Sequence, residues 1–395
     1  MRTETRFDHI YLFAPPWGPI KHRPHNLMKA FVRQGAKVFY IEDIGRRASL
    51  AWIPPWRLMR KAQNGLWTMK RFKIIPYQSR VRWMSAFNNR VFAMTVRLFT
   101  KLLGMKNLVV WHWSASSHEF VGAFGEGIAI CDNACEASLF SWASAKTRED
   151  EKIMLHKVDL AFAATEPLMR MAAGDNPHAY VIAQAVDVEA FQQPSKKNMA
   201  KPPELMSMGA PILGFTGNIH EWMDGDVIRE LAVQRPSWQI VIIGPVRNIG
   251  DTLKEVAKFQ NLPNVHMLGE RDYDVLPKYV SWFDVCLIPY KLNDTTKVSE
   301  TVKFYEYLAT GKPIVSTALP PLRQWGDAVY IAENPREFIE CVEEALREPP
   351  SSQERRRALA MENTWDSRAK LAAELIREVW IMKYGTPGAE TTDHV

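Results

Sequence analysis

Short apolar runs alternate with stretches of three- and four-residue periodicity along most of the chain. Residues 9–14 form a first buried run, broken by Pro15, Pro16 and Gly18. The spacing over 26–33 predicts a helix, and 37–41 predicts the next strand, which together make a βαβ unit. Residues 107–111, 127–131, 160–164 and 180–183 predict further strands. Between them, 85–103 predicts a long helix. Trp83, Phe87, Val91, Met94, Leu98 and Leu102 follow one stripe of it, while Arg90, Arg97 and Lys101 share another region. The stretch 192–211 is polar and Pro-rich and has little periodicity, so it reads as a linker. The alternation then restarts, with strands at 212–216, 239–243, 265–268, 285–288 and 313–316 and a helix at 226–232. Late helices are expected at 335–347, at 351–359 and from Trp365 to about Tyr384, with a frayed tail over 386–395. Continuous apolar strands separated by helices imply an α/β fold with a parallel sheet in each half. The expected organisation is a domain over 1–191, the linker, and a second domain over 212–365.

Composition narrows the class. The 395 residues suffice for two domains, and 47% hydrophobic with 24% charged excludes a disordered chain. The first residues carry acids and lack the apolar core of a secretory signal, and no run approaches the length of a spanning helix. Four cysteines (Cys131, Cys135, Cys286 and Cys341) make a poor disulfide framework at this length and lack a zinc spacing, so free thiols and the cytoplasm are expected.

The net charge of +6 is unevenly spread. From Ile44 to His118 there is no Asp or Glu, while bases such as Arg46, Arg57, Arg60, Lys73, Arg80, Arg90 and Lys101 alternate with Trp52, Trp56, Trp67 and Trp83. Bases with indoles suit peripheral contact with an anionic membrane surface through 44–118. The alternative is that the indoles are core and the bases merely solvated. No zinc finger or RNP-like motif supports nucleic acid as a partner.

The richest stretch for chemistry is 301–317. Glu306 lies in a short helical pattern that Gly311 stops, and Pro313 leads into a buried strand. A carboxylate beside the carboxyl ends of strands can accept hydrogen bonds from both ribose hydroxyls. The plain alternative is an amphipathic helix with Glu306 on its wet face. Lys303, with the backbone N–H groups near Thr301 and Val302, suits a diphosphate. Gly217 and Asn218 follow the first strand of the second half, and Gly244 follows the next. Glycine at such places lets backbone approach a phosphate.

This run resembles the signature helix of GT-B glycosyltransferases of the GT4-like, teichuronic-acid-type group. Residues 214–222, 238–245, 265–269, 284–289 and 302–317 follow the family's order, and 22–27 and 185–191 look like its Arg-Pro and Gly-Val-Asp segments. The resemblance implies two Rossmann-like domains facing an interdomain cleft, with the helix at 366–385 crossing back onto the first. It implies that Glu306 holds the nucleotide ribose, with Lys303, Val302, Thr301, Gly217, Asn218, Gly244 and Arg271 completing the donor set. It also implies that His112, at a strand end, reaches the donor sugar; a satisfied core histidine is the alternative. Asp132, with Glu136 nearby, stands for the family's acidic cluster and is the other catalytic candidate. His220 is expected as an exposed loop residue.

Two departures matter. The family's upstream glutamate is replaced by Val298, with Glu300 out of register, and an arginine expected after Gly217 is missing, so Lys303, Lys297 or Arg247 must substitute. Asp224-Gly-Asp226 and Asp272-Tyr-Asp274 match a metal-binding spacing, yet both precede helical patterns and read as caps, so no metal is expected. No hydrolase or NTPase motif is present. The expected function is transfer of a sugar from a UDP- or GDP-sugar to a lipid-linked or polysaccharide acceptor, with retention and without a metal or other cofactor. A nucleotide-sugar 2-epimerase of the same fold and a non-catalytic partner subunit are the alternatives.

Overall fold

Strands that are apolar along their whole length need cover on both faces, and the chain supplies it twice. The computed structural model describes residues 6–18, 21–43, 59–72, 82–135, 137–140, 143–192 and 200–385. The expectations placed on Arg46, Trp52, Trp56, Arg57, Lys73, Arg80, Glu136, residues 193–199 of the linker and the 386–395 tail lie outside these residues. Two compact units emerge: 1–138, 143–182 and 368–395 in one, and 139–142 with 183–367 in the other.

The N-terminal unit contains β1 (Asp8–Ala14), α1 (Arg23–Arg33), β2 (Val38–Glu42), β3 (Met59–Gln63), β4 (Leu66–Lys70), α2 (Arg82–Leu102), β5 (Leu108–His112), β6 (Ile128–Asp132), α3 (Ala145–Lys157), β7 (Leu160–Ala163), α4 (Glu166–Ala173) and β8 (Ala179–Val181). Its sheet runs β3-β4-β2-β1-β5-β6-β7-β8. Every pairing is parallel except the β3–β4 hairpin at the edge. That hairpin falls in the basic segment, where charge masks the alternation of an edge strand. One face packs Ile10, Leu12, Phe39, Ile41 and Val110 against Phe92, Val96 and Phe99 of α2. Each such buried side chain contributes roughly 2 kcal/mol. The inward side of α2 is therefore not the stripe that the spacing singled out: Trp83, Phe87, Met94, Leu98 and Leu102 are exposed.

The C-terminal unit contains α5 (Val188–Phe191), β9 (Ile212–Thr216), α6 (Gly225–Gln234), β10 (Gln239–Ile243), α7 (Thr252–Ala257), β11 (Val265–Gly269), α8 (Leu276–Val280), β12 (Val285–Ile288), α9 (Val302–Thr310), β13 (Ile314–Thr317), β14 (Tyr330–Ala332), α10 (Pro335–Ala345) and α11 (Ser351–Glu362). Its sheet order is β11-β10-β9-β12-β13-β14, all parallel. Val241 and Ile243 join the core beneath α8 and α9, while Ile240 and Ile242 join the core beneath α6 and α10. The order reverses between β9 and β12, the place where a doubly wound sheet opens a crevice at its carboxyl ends. The same reversal lies between β1 and β5 in the N-terminal unit.

The last helix, α12 (Trp365–Tyr384), contributes to the N-terminal unit from Arg368 onward. Its Trp380 stacks edge-on against Phe7 at 5.3 Å. The same indole occupies the space a side chain at Gly127 would need.

Candidate functional site

Two glycines set the geometry at the switch point of the C-terminal unit. Gly217 and Gly244 follow β9 and β10 with φ of 145° and 148°, a region open to glycine and rarely to other residues. A Cβ on Gly244 would lie 1.8 Å from the Gly217 carbonyl oxygen, so the two backbones touch with no room for a side chain. The Gly217 N–H donates to the Ile243 carbonyl at 2.8 Å, and the Gly244 N–H donates to the Gly269 carbonyl at 2.9 Å. These bonds lace the ends of β9, β10 and β11 together. The Gly217 loop is also pinned to the far side of the switch, since Asp224 N–H donates to the Pro289 carbonyl at 2.8 Å.

Helix α9 brings the charged groups to this place. Its first turn is capped by Thr301, whose hydroxyl accepts from the Lys303 N–H at 3.3 Å. Gly311, at φ 74°, ends it by donating to the Leu308 carbonyl. Phe304, Tyr305, Leu308 and Ala309 anchor the helix in the core. The Tyr307 hydroxyl accepts from the Thr216 N–H at 2.9 Å, which locks α9 to the last residue of β9.

Glu306 is 1% exposed, so it does not lie on a wet face. Lys303 Nζ donates to its Oε2 at 2.9 Å. The Tyr273 hydroxyl also bonds Glu306; burial first, then the Glu306 charge, pushes that phenol well above its ordinary range. The Lys303 stem runs beside Gly217, where an added Cβ would meet its Cε at 2.9 Å. A buried carboxylate, one ammonium and a bare backbone turn thus share one corner of the sheet. Asn218 belongs to the same loop, where its Oδ1 accepts from Arg247 Nε at 3.3 Å. Val302 opens α9 and is half-buried.

Arg271 lies two residues from Tyr273, but its guanidinium is directed elsewhere. It donates to Glu204 at 3.0 Å and to the Tyr279 hydroxyl at 3.3 Å. Lys297 is exposed, with Asp294 at 4.0 Å. Glu300 is buried, accepting from the Tyr305 hydroxyl at 2.6 Å and from the Gln184 N–H at 3.1 Å.

His220 corrects an expectation. It is 6% exposed and stacks on Trp222 at 3.8 Å with the rings 14° apart. Its Nδ1 finds no partner among the described residues. Trp222 in turn meets Tyr290 just after β12. Tyr273 and Tyr307 are the residues the sequence reading missed. A tyrosine in an apolar run carries no sign that its hydroxyl will reach a carboxylate or a strand end.

The Asp-x-Asp pairs behave differently from one another. Asp224 caps α6, accepting from the Asp226 and Val227 N–H groups. Asp224, Asp226 and Glu255 bring carboxylate oxygens within 4.8 Å of one another. Lys258 donates to both Asp226 and Glu255, and Lys291 to Glu255, so ammonium groups fill the place of a cation. Asp272 takes the N-cap position of the short helical turn Tyr273–Val275, as expected, but its side chain makes no cap bond.

His112 and Asp132 lie in the other unit. Asp132 ends β6 at 1% exposure. It pairs with the buried Arg23 at 2.9 Å and accepts from the Tyr11 hydroxyl at 2.5 Å. Arg23 also donates to the Ile182 carbonyl at 2.7 Å. His112 ends β5 beside the switch between β1 and β5. Ser117 gives its hydroxyl proton to the Ser114 carbonyl at 2.6 Å, so His112 Nδ1 donates to Ser117 Oγ at 2.8 Å. Nε2 is then a bare acceptor, with no partner among the described residues. Burial, aided by His118, pushes the ring down to about 3, which keeps it neutral.

Residues 210–348 match the family model described as "Glycosyl transferases group 1". The chain is 29% identical over 194 residues to the putative teichuronic acid biosynthesis glycosyltransferase TuaH of Bacillus subtilis (strain 168), covering 47% of this chain and 48% of that protein. It thus spans about half the length of the curated relative it matches. Sucrose-phosphate synthase from Thermosynechococcus elongatus aligns with a TM-score of 0.70 at 14% identity, over 95% of this chain and 100% of that one. A UDP-forming α,α-trehalose-phosphate synthase from Burkholderia vietnamiensis gives 0.69 at 11%, over 97% and 99%. Anabaena Alr3699/HepE, solved in complex with UDP and glucose, gives 0.66 at 11%, over 93% and 99%. The fold is that of GT-B glycosyltransferases, and residues 210–348 are similar to the group 1 glycosyl transferases.

Proposed function

We propose that this protein transfers a sugar from a UDP- or GDP-sugar to a hydroxyl of a lipid-linked or polysaccharide acceptor, with retention and without a metal, on the cytoplasmic side. The observation that carries this reading is the convergence of Gly217, Gly244, Lys303 and Glu306 at one switch point. Glu306 would accept from both ribose hydroxyls. Tyr273 would keep its carboxylate oriented. The bare turn would let a diphosphate approach the first turn of α9, whose dipole favours an anion. Lys303 would turn from Glu306 to the phosphates as the leaving group gains charge, so catalysis is positioning and electrostatic stabilisation. No side chain is assigned as nucleophile. The N-terminal unit would hold the acceptor, with His112 Nε2 accepting from a sugar hydroxyl.

Calorimetry with UDP and GDP tests the nucleotide claim. Glu306→Ala removes two charge-assisted hydrogen bonds and is expected to weaken binding about 100-fold. Failure of both nucleotides to bind the wild type, or an unchanged affinity in the variant, would overturn it. A panel of labelled nucleotide-sugars then tests the reaction. Consumption without acceptor would favour the epimerase, and binding without turnover would favour a non-catalytic partner, a role in keeping with Val298 and the engaged Glu300.

A further inference from the structure

Helix α2 has two apolar faces, and the sheet covers only one. Its inward face seats Phe92, Val96 and Phe99 in the core. On its outward face Trp83, Met94 and Leu102 are 65%, 68% and 71% exposed, and Phe87 and Leu98 are 45% and 56% exposed. At helical spacing these five positions share one sector. Arg90, Arg97 and Lys101 are exposed along its edge. The acid-free stretch from Ile44 to His118 surrounds the helix in sequence, and Lys106, just beyond it, is exposed as well. The first acid after it, Glu119, accepts from Asn89 on a different side of α2.

We propose that this face is a docking surface for an anionic lipid bilayer. The helix would lie along the membrane plane, with Trp83, Phe87, Met94, Leu98 and Leu102 at the headgroup boundary and the bases on lipid phosphates. Charge complementarity selects this occupant. Indole and aliphatic groups flanked by arginine and lysine are the pattern of an interfacial helix. A second copy of the same face would set Arg90, Arg97 and Lys101 against their own kind with no acid to answer them. Spanning is excluded for α2, since no described helix is long and apolar enough to cross a membrane and its other face is core. The surface belongs to the N-terminal unit, so it stands independently of the nucleotide reading.

Co-sedimentation of the full chain with vesicles tests this. Wild type is expected to bind vesicles of mixed phosphatidylcholine and phosphatidylglycerol at low salt, and to leave phosphatidylcholine alone in the supernatant. Replacing Arg90, Arg97 and Lys101 together by serine is expected to weaken binding about 100-fold, at roughly five-fold per base. Trp83→Ser with Met94→Ser and Leu102→Ser is expected to leave binding that salt abolishes. Circular dichroism melts of both variants should match wild type, because all six positions are exposed. Equal binding to neutral vesicles, or variants that sediment like wild type, would overturn the proposal. So would a solution dimer that the apolar variant dissociates, which would assign the face to a second copy.

Discussion

The two units share a plan, a doubly wound sheet whose order reverses once, yet they finish their strands in opposite ways. In the C-terminal unit, β9 and β10 run out into bare glycine backbone, and the nearest side chains, Lys303 and Glu306, come from α9. In the N-terminal unit the strands on the other side of the reversal, β5 and β6, end on side chains of their own. Asp132 is spent on Arg23 and Tyr11, and His112 leans on Ser117. One sheet end presents bare backbone beside an ammonium and a buried carboxylate. The other is closed by internal pairs, and among the described residues His112 Nε2 and Asn133 Oδ1 are buried acceptors left without partners. A common topology therefore does not give equivalent sites; what fills the switch point does.

Acid should separate the units most strongly. Burial lowers His9 and His112 of the N-terminal unit from 6.5 to about 3, and His25 to about 4. Above the unfolded value these rings are neutral in both states and cost nothing. As pH falls below 6.5 the unfolded chain takes up protons that the folded rings refuse, so stability drains until pH reaches about 3. Each fully buried ring accounts for about 5 kcal/mol across that window. Hydrogen exchange at pH 6.5 and pH 4 should show protection lost first from β1 and β5; loss beginning in β9 and β10 would break the contrast.

Removing the closing pair is expected to come next. Asp132→Ala leaves the Arg23 guanidinium buried without its charge partner, at a cost of about 3–5 kcal/mol. Thermal melts should fall accordingly while nucleotide affinity of the C-terminal unit is unchanged. A stable Asp132→Ala would mean that the pair does not hold the N-terminal strand ends together.

The smallest effect probes the open end. Gly244→Ala drives a methyl into the Gly217 carbonyl and is expected to destabilise by about 3 kcal/mol. Gly217→Ala meets no backbone, only the flexible Lys303 stem at 2.9 Å and the Phe215 ring edge at 3.3 Å, so the strained φ leaves about 1–2 kcal/mol. Equal melting shifts for the two would show that the backbones do not touch as described.

Much of the fold was legible because a strand buried on both faces must be apolar throughout. The runs at 212–216, 239–243 and 285–288 became β9, β10 and β12 almost residue for residue. The β3–β4 hairpin was not legible, since an edge strand such as Met59–Gln63 keeps polar side chains on its exposed face. Spacing also found a stripe on α2 but not its direction. Periodicity says that Trp83, Met94 and Leu102 share a face, and only packing says which face meets the sheet.

The same division holds at the candidate site. Sequence alone determined the local events: a helix stopped by Gly311, a carboxylate within it, and glycines just past two strands. These follow from backbone sterics and short-range periodicity, which act within a few residues. Only the tertiary structure decided that Glu306 is buried, that Tyr273 and Lys303 hold it, that Gly244 abuts Gly217, and that Asp132 is paired with Arg23. Those are contacts between segments far apart in the chain. Their hydrogen bonds depend on how the sheet registers its strands, which no local pattern encodes.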